Sequence, residues 1–204
     1  GLKIPDGRLV NKDQVKEAAE ELGCPVAIKI VSHEMQHKTE MGAVSININS
    51  PEEAVKSAEE MVEKVSGSHP NLDTTNLLVE KMLKKPVAEL LIGIKREQGF
   101  GFALVVGSGG TMVELSQDTA TLLLPTNKEA VGQALKKLKI AKVLEGFRGQ
   151  ASGDIESTVE AIMAVAKYAN AKADSLLELD VNPLMVMNDG VIAVDAYIRL
   201  ASKK

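Results

Sequence analysis

The chain of 204 residues has no tryptophan, two tyrosines, three phenylalanines and a single cysteine. So few aromatic rings leave no stacking platform for single-stranded nucleic acid. The formal net charge of −4 argues against a nucleic-acid binder that relies on bulk positive charge. Cys24 alone cannot build a disulfide framework and suits a reducing compartment. No apolar run approaches the roughly 20 residues needed to span a bilayer, and no signal-peptide pattern opens the chain. The expectation is therefore a cytoplasmic location, with neither nucleic acid nor membrane as partner. The opening "GLKIPDGRLV" reads as the interior of a longer protein. What is present is 45% hydrophobic and 25% charged residues, enough for one sizeable domain or two small lobes.

Helix signals punctuate the chain. Asn11 with Gln14 caps a helix that stops near Gly23. Ser50-Pro51-Glu52-Glu53 combines an N-cap, a proline at the first helical position and a capping-box glutamate. Thr126 with Glu129 opens a third helix, and Ile155, Val159, Ile162, Met163 and Ala166 mark the apolar stripe of a fourth. Between them "PVAIKIV", "AVSINI", "NLLVEKM", "AELLIGIK", "FALVVG" and "TMVEL" read as strands. Strands adjacent in sequence favour antiparallel pairing, so the fold class is α+β in two lobes. The polar stretch "SGSHPNLDTTN", residues 66–76, is the best boundary, giving lobes 1–75 and 76–204.

The stretch "LELDVNPLMVMNDGVIAVDAYI", residues 177–198, reads as a hairpin around Asn188-Asp189-Gly190. Its interior carries Asp180, Asn182 and Asp195 among apolar residues, and a carboxylate facing a core is costly unless compensated. Alternation along the strand puts Asp180 and Asn182 on one face, with Leu184 and Val186. Two hairpin registers are open, one setting residue 182 across from 195 and the other residue 184. Both put Asp195 on that face. Two carboxylates and an amide oxygen suit Mg²⁺, which takes few protein ligands and completes its shell with water and phosphate oxygens. The alternative is a solvated sheet face.

Four further groups could do chemistry. Lys29 interrupts an apolar strand, where a lysine either snorkels to a surface or meets a ligand. His37 in the following polar loop could relay a proton or a phosphoryl group, or simply be solvated. In "VVGSGGTMVE", Gly109 and Gly110 allow backbone N–H groups to approach a phosphate, or else make a tight strand turn. Arg148 in "EGFRGQ" could clamp a phosphate or carboxylate, or be a surface arginine.

The order of these segments is more specific than any one of them. "VAIKIVS…HKTEMGAV", "LLVEKM…AELLIGIKRE…FGF", "GSGGTMVE", "GFRG" and "LELDVNPL…GVIAVDA" together resemble the ATP-grasp domain of NDP-forming acyl-CoA synthetases, relatives of the succinyl-CoA synthetase β subunit. The resemblance spans nearly the whole chain. It implies an ATP-grasp fold with the nucleotide in the cleft between two α+β lobes, and ATP/ADP with Mg²⁺ as cofactors. Lys29 would contact nucleotide phosphates. The backbone around Glu80, Lys81 and Met82 would read adenine, and Glu89 the ribose. Asp180, Asn182 and Asp195 would hold Mg²⁺, and His37 would relay phosphate toward a phosphohistidine. The implied partners are CoA-binding and ligase domains, or the α subunit of the same synthetase, in a hetero- or homo-oligomer. Departures from the family pattern at Met41-Gly42-Ala43-Val44, in "REQGFGF" and at Leu122 bear on the acyl substrate, whose choice belongs to the ligase domains. Two other classes fit the same residues: a carboxylate–amine ligase without a histidine relay, and an ATP-sensing domain fused to an acetyltransferase.

Overall fold

The computed structural model describes residues 1–32, 35, 38, 40–110 and 117–201. The expected strand "TMVEL" and the candidate relay His37 lie outside these residues. The chain divides into two compact bodies, Pro5–Lys84 and Gly1–Ile4 with Lys85–Lys204.

In the first body, Asn11 accepts a hydrogen bond from the Asp13 amide, and the Gln14 side chain accepts from the Asn11 amide at 3.2 Å. This box starts a single 3₁₀ turn that runs into α1 (Val15–Leu22), and Gly23 ends the helix at φ 74°. The second helix, α2 (Pro51–Ser68), is capped by the Ser50 hydroxyl, which accepts from the Glu53 amide at 3.1 Å. Glu53 reaches back one residue further than the sequence implies, to the amide of Asn49 at 2.8 Å. Both helices lie over one face of an antiparallel sheet of β1 (Gly7–Val10), β2 (Val26–Ile30), β3 (Val44–Ile48) and β4 (Leu77–Lys81). Its strand order is β1-β4-β2-β3. Ile28, Ile30, Leu77 and Val79 are fully enclosed against Ala18, Ala19, Ala54 and Ala58 of the helices. Burial of each such large aliphatic side chain contributes about 1.5–3 kcal/mol.

The boundary expected at residues 66–76 falls inside this body. The polar stretch ends α2 and then connects it to β4, and β4 pairs with both β1 and β2. Strand pairing therefore holds the chain in the first body until Lys84. The strand β1, whose single short apolar pair gave no alternating pattern, was not visible in the sequence.

The second body is a mixed-length antiparallel sheet in the order β10-β8-β5-β6-β7, with β9 also paired to β8. Its strands are β5 (Ala88–Glu97), β6 (Gly101–Ser108), β7 (Thr119–Leu123), β8 (Leu176–Met187), β9 (Gly190–Ala193) and β10 (Ala196–Leu200). Three helices, α3 (Lys128–Lys137), α4 (Ala141–Leu144) and α5 (Ile155–Ala171), pack their apolar stripes onto one face. The cap of α3 is Asn127, not Thr126: its side chain accepts from the Ala130 amide at 2.9 Å. No described helix is long and apolar enough to cross a membrane.

The terminal hairpin turns at Asn188-Asp189, pairing Met187 with Gly190 and Leu184 with Ala193. Of the two registers open from sequence, this is the one that sets residue 182 across from 195. The Asn182 amide donates to the Asp195 carbonyl at 3.1 Å. The other side of β8 holds a departure from simple alternation. Leu90 pairs with Leu184, but Ile92 pairs with Val181, so β8 carries one extra residue at Asn182-Pro183. Such a bulge inverts the face of everything beyond it. Leu179 and Val181 before the bulge, and Leu184 and Val186 after it, all point into the core. The sequence reading that placed Leu184 and Val186 on the face of Asp180 and Asn182 is corrected by this single insertion.

Candidate functional site

With the apolar residues of β8 turned inward, the outward face of the second sheet collects its polar groups. Asp180 pairs with Gly93 of β5 on one side and with Tyr197 of β10 on the other. One of its carboxylate oxygens lies 3.7 Å from where a Cβ of Gly93 would stand. Asn182, on the bulge, accepts a hydrogen bond from the Gly110 amide through its side-chain oxygen at 3.2 Å. The Glu89 carboxylate lies against Gly110, where any Cβ would collide with it. Glu89, Gly110 and Asn182 thus converge on one spot, and Asp180 sits further along the same face. Asp195 stands across from Asn182, and its carboxylate accepts the amide of Ala196 at 3.0 Å. Asp180, Asn182 and Asp195 are all half-buried.

The glycines after β6 serve packing more than phosphate. The Gly109 amide donates to the Glu89 carbonyl at 2.7 Å, and the Gly110 amide is held by Asn182. Both donors expected to meet phosphate are therefore engaged within the chain. A Cβ at Gly109 would lie 2.5 Å from the Leu90 backbone, and Gly110 has φ +78°. The loop needs glycine so that Asn182 and Glu89 can be brought together and oriented.

Asp118, which gave no signal in the sequence, anchors this loop. It is 6% exposed. Its carboxylate accepts from the Lys139 amide at 2.7 Å, the Ser108 hydroxyl at 2.7 Å and the Ile140 amide at 2.9 Å. Burial pushes its carboxyl up, but the Lys139 amide, the Ser108 hydroxyl and the Ile140 amide outweigh it, and the net shift is below the ordinary value of 3.8. One buried carboxylate thereby ties the end of β6 to the link between α3 and α4.

Arg148 occupies a loop in which Gly146, Arg148 and Gly149 have φ values of 92°, 51° and 80°. The side chain is exposed, and its guanidinium lies 5.2 Å from the centre of the Phe147 ring. An arginine held in the left-handed region is strained, and such strain clusters at functional positions.

Lys29 and Glu80 belong to the first body. Lys29 does not snorkel: it is 6% exposed, and its ammonium lies 2.5 Å from the Glu80 carboxylate, itself 6% exposed. Gly7 faces Glu80 across β1, and a Cβ there would come within 3.0 Å of the Glu80 side chain. Glu80 thus acts through its carboxylate, as the counter-charge of Lys29. The amides of Lys81 and Met82 donate to the carbonyls of Asp6 and Pro25 at 2.9 and 3.0 Å. Any reading of a base by this segment therefore falls to its carbonyls and to the residues beyond Met82.

The donor set fits Mg²⁺ by its chemistry. Among the described residues no group of three or more His, Cys, Asp or Glu side chains could hold a metal ion. Mg²⁺ does not require one, because it binds through one or two carboxylates and fills the rest of its shell with water and phosphate oxygens. Asp180, Asp195 and the Asn182 amide oxygen could supply that kind of partial shell, each being half-buried.

Comparison with known proteins points the same way. A family model described as an ATP-grasp domain matches residues 1–200. The β subunit of acetate–CoA ligase [ADP-forming] II of Pyrococcus furiosus is 34% identical over 98% of this chain and 86% of its own length. The acetate–CoA ligase [ADP-forming] of Methanocaldococcus jannaschii is 36% identical over 93% of this chain but only 27% of its own length. Among solved structures, acetyl-coenzyme A synthetase 1 of Ca. Korarchaeum cryptofilum, in complex with coenzyme A and Ca-AMPCP, superposes with a TM-score of 0.90. It is 32% identical, and the match covers 98% of this chain and 87% of that one. A second structure of that enzyme holds Mg-AMPPCP, with its phosphohistidine segment pointing towards the nucleotide binding site. It matches with a TM-score of 0.80 at 30% identity, over 98% of this chain and 86% of that one.

Proposed function

We propose, because this chain belongs to the ATP-grasp domain family of ADP-forming acetate–CoA ligases, that it is the nucleotide-binding part of an ADP-forming acyl-CoA synthetase. It works on ATP and ADP with Mg²⁺. Its step is phosphoryl transfer between nucleotide and a histidine: the bond from the terminal phosphorus to the bridging oxygen of ADP breaks as a bond to an imidazole nitrogen forms, and ADP leaves. The reverse step remakes ATP. Single-chain relatives are several times longer than the matched region, so the CoA-binding and ligase portions are expected on other domains or an α subunit. The whole assembly is expected in the cytoplasm.

The observation that carries this reading is the bulge at Asn182-Pro183. It turns Asp180 and Asn182 out of the core, while Leu184 and Val186 fill it. A purely structural hairpin has no need to expose two carboxylates and an orienting amide on one face. Bound Mg²⁺ neutralises charge on the phosphate oxygens, which is most of what phosphoryl transfer demands. The chain's own residues do the rest. Asp180, Asn182 and Asp195 hold the metal, and the Gly110 amide fixes the Asn182 side chain. Lys29 contacts phosphate, kept in register by Glu80. Arg148 steadies the charge of the moving phosphoryl group, Glu89 engages the ribose, and His37 relays phosphate.

The test is transfer of labelled terminal phosphate from ATP to the ligase-portion histidine in the full assembly. Asp180→Asn and Lys29→Met are expected to abolish it, and His37→Ala to reduce it sharply while nucleotide binding persists. Undiminished transfer by Asp180→Asn would refute the metal face. Undiminished transfer by His37→Ala would remove His37 from the relay, and turnover with no label on any histidine would favour a carboxylate–amine type ligase. The chain alone is expected to form no acyl-CoA.

A further inference from the structure

Gly93 stands in the interior of β5, a central strand paired with β6 and β8. Glycine weakens a strand interior, where it has no side chain to pack and most freedom to lose. Nearby glycines have evident local reasons. A Cβ at Gly107 would meet the Asp118 carbonyl at 2.5 Å, one at Gly109 the Leu90 backbone at 2.5 Å, and Gly110 has a positive φ. Gly93 has none of these. A Cβ there would make ordinary contacts, 3.7 Å from an Asp180 carboxylate oxygen and 3.8 Å from the Val105 side chain, and its backbone angles are open to any residue. The bulge lies between Leu90 and Ile92, so Gly93 is not its hinge. A Cβ at Gly67 or Gly132 would meet nothing among the described residues within 4 Å, but these glycines lie on helices and border no carboxylate of the site.

Among the described residues, therefore, no backbone clash or positive φ explains the missing side chain, which leaves a notch on the outward face between Asp180 and Val105. We infer that Gly93 is a specificity-determining residue: it keeps the floor beside Asp180 clear for the metal-bound terminal phosphoryl group of a nucleoside triphosphate. The inference rests on the proposed function and adds to it a residue that touches the ligand by having no side chain. The chemistry selects this occupant. A bare phosphate beside the Asp180 carboxylate is repelled, whereas a phosphate that shares a cation with it is held. A methyl group at Gly93 would sit in contact with that carboxylate and crowd the shared shell. A ligand without the outer phosphates would not reach it.

Calorimetric titration of the full chain with Mg-ATP and with AMP, together with its thermal midpoint, tests this. Gly93→Ala is expected to fold with a midpoint close to that of the unaltered chain, to lose about tenfold or more in Mg-ATP affinity, and to keep its AMP affinity. Gly93→Ser is expected to behave alike, and Gly132→Ala to change neither affinity. Equal loss for AMP and Mg-ATP, or no loss for Mg-ATP, would overturn the inference and leave the proposed function standing. So would failure of both Gly93 variants to fold, since the notch would then be a packing requirement. If the unaltered chain bound no Mg-nucleotide, the proposed function itself would fall, and the role of Gly93 with it.

Discussion

Lys29 illustrates what a single residue reveals and conceals. A lysine inside the apolar run "PVAIKIV" is an anomaly that any reading of the sequence marks, and it lies on a strand whose five residues are all buried. Its partner was hidden. Glu80 is far away in sequence, and only the pairing of β2 with β4 sets it beside Lys29. Removing one member of a buried ion pair leaves the other charge uncompensated, at a cost of about 3–5 kcal/mol, whereas replacing both by apolar residues is often nearly neutral. Glu80→Ala is therefore expected to lower the unfolding free energy by about 3 kcal/mol or more, as read by urea denaturation. The double substitution Lys29→Met with Glu80→Leu should recover most of that loss. A single-site cost below about 1 kcal/mol would mean that the pair is solvated like a surface salt bridge.

At the scale of elements, turns and caps were the most legible features and bulges the least. Asn11, Ser50 and Gly23 act as their residue types imply, because capping is decided within four residues of the helix end. The bulge in β8 is decided by β5, on a partner strand that local sequence does not see. The loop "EGFRGQ" lies between these cases. Its glycines mark a turn, but nothing in the sequence announces that Arg148 is itself left-handed at φ 51°. That conformation costs a non-glycine residue roughly 1 kcal/mol. Arg148→Gly relieves the strain but loosens the unfolded chain, so stability is expected to stay within about 1 kcal/mol. Phosphoryl transfer, in contrast, should fall steeply. A marked loss of stability with transfer intact would assign Arg148 to holding the loop.

At the scale of the whole molecule, the enclosed Asp118 carboxylate is expected to tie stability to pH. Asp118 has a folded pKa below its ordinary 3.8, held there by the Lys139 amide, the Ser108 hydroxyl and the Ile140 amide against the opposing effect of burial. A depressed folded pKa means stability that is fully present above the unfolded value and is lost as pH falls through the folded one. Asp118→Ala is therefore expected to destabilise the chain by about 2–3 kcal/mol at neutral pH, since the hydrogen bonds it removes are to a charged, enclosed group. The gap between variant and unaltered chain should close as pH drops below the ordinary carboxylate range. A gap independent of pH down to the acid transition would show that Asp118 contributes by packing alone. The division into two bodies at Lys84 is likewise a property of the whole chain. Residues 66–76 have the composition of a linker, but the hydrogen-bonded ladder of β4 outweighs composition.

Composition argued against a nucleic-acid binder, the α+β class followed from the mixture of helical and alternating patterns, and the motif order placed the chain in its family. Each of these is carried by local chemistry or by residue order, which need no three-dimensional information. Tertiary structure alone decided which side of β8 faces the core, which carboxylate answers Lys29, why Gly109 and Gly110 must be glycine, and that Asp118 is enclosed. The physical reason is common to all four. Burial, register and close approach are relations between segments distant in sequence, and a side chain's type records them only after the partner segment is in place.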